Sequence, residues 1–451
     1  MRARRSRRLL WYAPECLWDQ RIHQRWEGYE NDMRIAQLAP VAETVPPALY
    51  GGTERVIDWL TSELVRRGHQ VTLFASGDSS TSANLVPVRR RSIRLEAPPR
   101  VDGGAWSLIS ALELIERADE FDVVHNHLDF LPLLALRGLG LPVLTTLHGR
   151  LDIDGLAPLY RRFSEFPLVS ISDAQRPPLG EVNWLATVHH GLPLDRYDPG
   201  PGGGDYFVFL GRISPEKRPH IAIDAARRAG VRLVLAAKVD RVDREYFEKE
   251  VEPRLHHPGI EFIGEVDEIG KAELLRDARG LLFPILWPEP FGLAMTEAMA
   301  FGTPVITRRC GSTPEVVAHE KTGFVCDDDD ALVDAIARID RIDRAACRGW
   351  VEERFSVGRM ARDYEALYAR IAEARHPTGT HVIGGATLLH DRDLDVAAAL
   401  PDLDPDVVRM PAEMQIHRRL ADTQALHREL LDGRRKHGPG KDDAPLDGGD
   451  P

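Results

Sequence analysis

The stretch "YGGTERVIDWLTSELVRRGHQVTLFA", Tyr50 to Ala75, contains a loop, a helix and a strand. Val56, Ile57, Leu60 and Leu64 recur at helical spacing, and Gly68 stands where a C-terminal cap belongs. "QVTLFA" follows as a short apolar run, and "RIAQLA", just after Met33, is a matching run upstream. Strand, helix and strand in that order build a parallel sheet with helices packed on it.

Working outward, the same alternation continues through "FDVVH", "LPVLTTLH", "FPLVSIS" and "ATVHHG". It breaks at residues 192–205, "LPLDRYDPGPGGGD", where Pro and Gly replace apolar residues, as in a domain linker. It restarts with "YFVFLGRI", "VRLVLAAKV", "IEFIGEV", "GLLFPI" and "TPVITRR". The chain therefore reads as two consecutive α/β domains, over 33–191 and 206–355. A helix over 356–375 follows, from "RFSVGRMARDYEALYARIAEARH". Residues 1–32 read as a leader, unstructured or upstream of a natural start at Met33. Residues 376–451 read as a tail with one helix, "AEMQIHRRLADTQALHRELLDG", and a disordered Gly/Asp/Pro-rich end.

Bulk properties narrow the function. A chain of 451 residues exceeds one ordinary core, and a formal net charge of -12 argues against nucleic acid as a partner. Cys16, Cys310, Cys326 and Cys347 are scattered without a CxxC pair, which argues for a reduced compartment and against a disulfide frame or zinc site. No apolar run is long enough to cross a membrane. The basic start has no apolar segment followed by a cleavage site, so a cytoplasmic location is expected.

In open parallel sheets, ligands bind where strand carboxyl ends lead into loops and helix N-termini. The distinctive polar residues fall there. His125 and His127 follow "FDVV", His148 follows "VLTTL", Gly211 and Arg212 follow "FVFL", Glu265 follows "EFIG", and Glu289 follows "LLFPILWP". Several such residues from different strands of both domains indicate a cleft between two sheets. In "GRISPEKR", Arg212 and Lys217 lie between a strand end and the next helix and suit a pyrophosphate. The alternative is a solvated loop with ordinary surface cations.

"WPEPFGLAMTE" gives the sharpest signal. Pro290 disfavours a helical Glu289, so Glu289 stands in a loop, whereas Glu297 lies inside the helix that begins near Phe291-Gly292. Eight residues of ideal helix span ~12 Å, comparable to the separation of hexose and ribose across a diphosphate. Carboxylates accept well from paired hydroxyls, and the N–H groups of Phe291, Gly292 and Leu293 lie between the two. The alternative is a Glu-Pro helix start plus a surface Glu.

Other motifs carry less. Gly51-Gly52 allows close backbone approach to a substrate or a plain tight turn, and lacks the full dinucleotide fingerprint. "HNH" at 125–127 has no third metal ligand at a telling spacing and reads as hydrogen bonding. "DDDD" at 327–330 reads as a charged helix N-cap; a metal-binding Asp pair in "DID" at 152–154 is disfavoured, because Arg212 and Lys217 can already supply the positive charge. "RRRSIR" at 89–94 hints at an acidic acceptor or lipid surface, with a solvated loop as the alternative.

Together these segments resemble glycosyltransferase family 4, the retaining transferases of GT-B fold. The resemblance runs from about Met33 to Arg375 and is carried by "EPFGLAMTE", "GRISPEKR", "FIGEV", "GTPVI", "GSTPEVV" and "KTGFV" in the family's order, with "YGGTERV" and "ISDAQR" in the first domain. It implies an α/β fold of two Rossmann-like domains facing a cleft, with the terminal helix crossing back to the first. It implies a nucleoside-diphosphate-sugar donor, UDP- or GDP-linked. Arg212 and Lys217 would hold the diphosphate, with Gly211 beside them. Glu289 and the Phe291–Leu293 backbone would hold the donor sugar, Glu297 the ribose, and Glu265 with Val266 would border the nucleobase. Gly51, Gly52 and His148 would face the reacting centre, with His148, Arg212, Lys217 and Glu289 as the catalytic set. Such enzymes transfer a hexose with retention, usually without metal or cofactor. The acceptor is open: a sugar, a lipid-linked glycan or a small molecule, with membrane contact at most peripheral. The rival readings are a GT-B-fold epimerase or phosphorylase, and a non-catalytic nucleotide-binding scaffold.

Overall fold

The computed structural model describes residues 32–49, 51–95 and 101–374, together with the residue pairs 382–383 and 386–387. The leader and nearly all of the tail, including its expected helix, lie outside the described residues.

Seven parallel strands form the first sheet: β1 (Arg34–Leu38), β2 (Gln70–Ser76), β3 (Asn84–Arg89), β4 (Val123–Asn126), β5 (Val143–Thr146), β6 (Leu168–Ser170) and β7 (Trp184–Thr187), in the order β3-β2-β1-β4-β5-β6-β7. Six more form the second: β8 (Tyr206–Ile213), β9 (Arg232–Val239), β10 (Ile260–Gly264), β11 (Gly280–Phe283), β12 (Val305–Arg308) and β13 (Gly323–Cys326), in the order β10-β9-β8-β11-β12-β13. Each order reverses direction once, between β1 and β4 and between β8 and β11. Such switch points open a crevice at the strand carboxyl ends.

Helix α1 (Gly52–Arg66) forms because its apolar stripe lands on the sheet, with Val56, Leu60 and Leu64 at most 2% exposed. Alternate residues of β1 serve opposite faces, Ile35 joining one core cluster and Ala36 another. The second face is covered by α2 (Gly103–Ile115) and α3 (Leu156–Arg162) through Ala111, Leu114 and Tyr160. In the second lobe, α4 (Pro219–Ala229), α5 (Glu268–Asp277), α6 (Leu293–Ala300), α7 (Asp329–Arg338) and α8 (Arg344–Arg354) surround the sheet.

Helix α9 (Val357–Glu373) returns to the first lobe. Its Tyr364 and Tyr368 are buried, with hydroxyls bonded to Thr146 and His125. Two chain crossings run side by side at this point: Leu192 donates to the Phe355 carbonyl at 2.8 Å and Val357 donates to the Leu192 carbonyl at 2.9 Å. The Pro/Gly-rich segment after Leu192 is held against the second lobe, with Gly200 bonded to Phe301 and Gly204 to Asp277.

Two strands did not stand out in the sequence. β3 is a sheet edge and contains Pro87, which only an edge tolerates comfortably. β13 is a four-residue edge strand, "GFVC", too short for a periodicity signal.

Candidate active site

The two switch points face one cleft of about 540 Å³. Its walls include Gly51, Gly52 and His148 from the first lobe, and Gly211, Arg212, Lys217, Glu265, Val266, Glu289, Phe291, Gly292, Leu293 and Glu297 from the second. Every site residue expected from the sequence therefore meets at one place.

The first lobe contributes its Gly-Gly loop through tight packing. A Cβ on Gly51 would stand 2.7 Å from the Pro47 side chain, and Gly52 lies against Leu293 of the opposite lobe. The loop thus brings the start of α1 against the Leu293 side chain at the start of α6.

In the second lobe Glu289 sits in the loop before α6, and Glu297 lies buried within the helix. Gly292, at φ 82°, supplies the left-handed turn that starts α6. The loop is braced from behind by Ser312, whose N–H donates to the Glu289 carbonyl at 3.0 Å and whose hydroxyl donates to the Phe291 carbonyl at 2.9 Å. Lys217 donates to Glu289 Oε2, which also accepts from Trp287 Nε1 at 2.8 Å. The Lys217 ammonium stands 5.1 Å from the Trp287 ring centre and 5.3 Å from that of Phe283. Arg212 bonds Glu216 and has Asp243 at 3.6 Å. Two cations, each held by carboxylates, thus line the cleft from the end of β8 and the loop after it.

Other lining residues were not singled out by their sequence context: Glu43, Glu54, Arg55, His190, Lys238, Glu268, Lys271 and Trp287. His190 and Lys238 follow or end strands, so the strand-end rule that found His148 reaches them too. Lys271 is different. It bonds Glu297 at 2.7 Å and Glu268 at 2.9 Å, and only the folded chain reveals either the pairing or the buried partner. Glu268 in turn pairs with Arg55 of the first lobe.

The histidines form a ladder beneath the cleft. His127 lies 2.8 Å from His148 through Nδ1 and Nε2, and His148 stacks on His190 with ring centres 5.3 Å apart. Burial pushes His148 down to about 4, and burial with neighbouring imidazoles also holds His127 and His190 well below the usual imidazole value. All three are neutral at pH 7. His125 is spent on Tyr368 and Thr146, and among the described residues no three His, Cys, Asp or Glu side chains gather as metal ligands. Glu54, in the first turn of α1, is buried and its carboxyl is pushed up to about 7 by that burial.

Three lesser motifs resolve into structure. Asp328 caps α7 and Asp329 binds Arg218 and Arg308; Asp152 pairs with Arg150. Within 89–94, Arg89 is buried against Trp106, and Arg94 bridges Glu43 and Glu265.

The sequence and the fold both match known proteins. Residues 198–348 match the family Glycosyl transferases group 1, and residues 50–204 match Glycosyltransferase Family 4. Phosphatidyl-myo-inositol mannosyltransferase of Mycobacterium leprae is 26% identical over 348 residues, spanning 69% of this chain and 88% of its own length. O-antigen chain mannosyltransferase C of Escherichia coli is 24% identical over 376 residues, 74% of this chain and 98% of that protein. Among solved structures, sucrose-phosphate synthase of Thermosynechococcus elongatus superposes with a TM-score of 0.64 at 20% identity, over 76% of this chain and all of that one. The Anabaena protein HepE, solved with UDP and glucose, gives 0.59 at 17% identity, over 75% and 99%. No described helix is long and apolar enough to cross a membrane.

Proposed function

Since the chain belongs to the glycosyltransferases of family 4 type, with a GT-B fold, we propose that it transfers a hexose from a nucleoside-diphosphate sugar to a hydroxyl acceptor with retention at the anomeric carbon. The observation that carries this reading is the convergence of Arg212, Lys217, Glu289 and Glu297 in one cleft at the strand carboxyl ends.

Arg212 and Lys217 stabilise charge that grows on the departing diphosphate, the electrostatic help a leaving group most needs. The N-terminus of α6 adds backbone N–H groups and its dipole. Glu289 is held in place by Trp287 Nε1 and accepts from hexose hydroxyls; Glu297 does the same for the ribose. The acceptor hydroxyl attacks on the face the nucleotide leaves, and its proton passes to a departing phosphate oxygen. The glycosidic bond forms as the anomeric carbon–oxygen bond to the diphosphate breaks, releasing nucleoside diphosphate.

The donor class is testable with purified protein and a panel of UDP-, GDP-, ADP- and dTDP-sugars. A ligand at 100 times its Kd adds about 2.7 kcal/mol of stability, a shift of a few degrees in Tm. A shift with one nucleotide family names the donor, and release of that diphosphate on adding acceptor shows transfer. No shift with any of them, or tight binding without turnover, sinks the transferase proposal and favours a nucleotide-binding scaffold.

A further inference from the structure

The histidine ladder has a direction, set at its inner end by Gln37 on β1. Gln37 is fully buried, and its Oε1 lies 2.6 Å from His127 Nε2. A carboxamide oxygen only accepts, so His127 carries its proton on Nε2. Because His127 is neutral, its Nδ1 is then a bare acceptor, and the 2.8 Å contact requires His148 to donate from Nε2. The remaining ring nitrogen of His148, Nδ1, therefore has a lone pair and no proton. It is buried at the cleft wall and has no partner.

The other half of Gln37 fits this polarity. Its amide nitrogen is buried without a hydrogen-bond partner, and the Gln37 side chain acts to lower the Tyr368 hydroxyl pKa, as a neighbouring donor does, against the larger opposing effect of burial. Tyr368 then donates to His125 Nδ1 at 2.7 Å, and His125 Nε2 donates to Thr146 Oγ1 at 2.7 Å. With the Gln37 amide in this orientation, the protons run in one direction through the network.

We propose that Gln37 and His127 are positioning residues that lock His148 as the Nε2–H tautomer, so that Nδ1 accepts a hydrogen bond from a sugar hydroxyl bound in the cleft. The locked tautomer favours a substrate that presents a hydroxyl there over one with an ether or no oxygen, because an unmet buried acceptor is costly. The identity of that hydroxyl rests on the transferase proposal; the tautomer does not.

The test is nuclear magnetic resonance on the full chain labelled with 15N-histidine, using long-range 1H–15N correlation at pH 7.5 without ligand. His148 signals are identified by their loss in His148→Asn. The expected result is a protonated Nε2 and bare Nδ1 in the wild type, with both tautomers populated in Gln37→Met and in His127→Phe. A wild-type His148 protonated on Nδ1 would overturn the proposal. So would an unchanged tautomer in a folded Gln37→Met protein, which would reduce Gln37 to packing. The wild-type spectrum decides the tautomer itself, and either folded variant decides what locks it. No donor is needed, so a protein that turned over no nucleotide sugar would end the transferase reading and the identity of the hydroxyl, and would leave the locked tautomer standing.

Discussion

Lys271 Nζ lies 2.7 Å from Glu297 Oε1, with the two side chains only 9% and 6% exposed. The pair joins α5 to α6, and Lys271 extends it through Glu268 to Arg55 across the cleft. Removing one partner of such a buried pair leaves an uncompensated charge. Lys271→Met is therefore expected to cost about 3 kcal/mol in a denaturant titration. Glu297→Gln keeps the shape, still accepts from Lys271, and costs much less. Equal losses would mean that the pair is not what holds Lys271 in place.

Lys217 and Glu289 show a different balance. Glu289 neutralises the ammonium that the proposed diphosphate needs. Glu289→Gln frees Lys217, so pyrophosphate and nucleoside diphosphates are expected to bind at least as tightly as in the wild type. Turnover falls about 100-fold, as when a donor or acceptor of the reacting centre is removed. Calorimetry and steady-state kinetics on one preparation separate the two effects. Weaker diphosphate binding in this variant would show that Glu289 positions Lys217 instead of competing for it.

How legible this site was depends on which residues hold it. Glu289, Glu297, Arg212 and Lys217 stand beside Pro, Gly and strand ends, local cues that a sequence displays. Lys271 and Glu268 sit on a plain amphipathic helix, and their role comes from partners 26 and 213 residues away on α6 and α1 (297 − 271 and 268 − 55). The same holds for Gln37, whose place in an otherwise apolar strand becomes telling only once His127 is seen beside it. The alternating sheets were readable because buried parallel strands are apolar throughout. β3 escaped because an edge tolerates its Pro87, and β13 because four residues carry no periodicity.

Arg94 reaches from the first lobe to Glu265 at the mouth of the cleft, 3.2 Å away and with both side chains about a quarter exposed. A partly exposed pair contributes roughly 0.2–1 kcal/mol, so Arg94→Glu should raise the donor KM only a few-fold, with kcat little changed. The double variant Arg94→Glu with Glu265→Arg restores the attraction and should recover most of that loss. If the double variant is worse than either single one, the two residues contact the donor separately and do not form a clasp.

Glu54 gives a pH dependence with a definite sign. Its carboxyl titrates near 7 in the fold because burial disfavours its charge, against 4.5 when exposed. Between those values the folded chain binds the extra proton, so this group's contribution to stability falls as pH rises from 4.5 to 7 and stays low above that. The full effect is at most roughly 3 kcal/mol. The buried His148 acts in the opposite direction: its pKa is lowered from 6.5 to about 4, so it costs stability as pH falls through that range. The two contributions overlap in the wild type, and a single melting curve against pH conceals both. Glu54→Gln removes one of them. The difference in Tm between the variant and wild type should be small at pH 5 and rise in the variant's favour by pH 8, while the acid-side loss from the histidine ladder remains. A constant difference across that range would mean that Glu54 is ionised in the fold and solvated by the cleft.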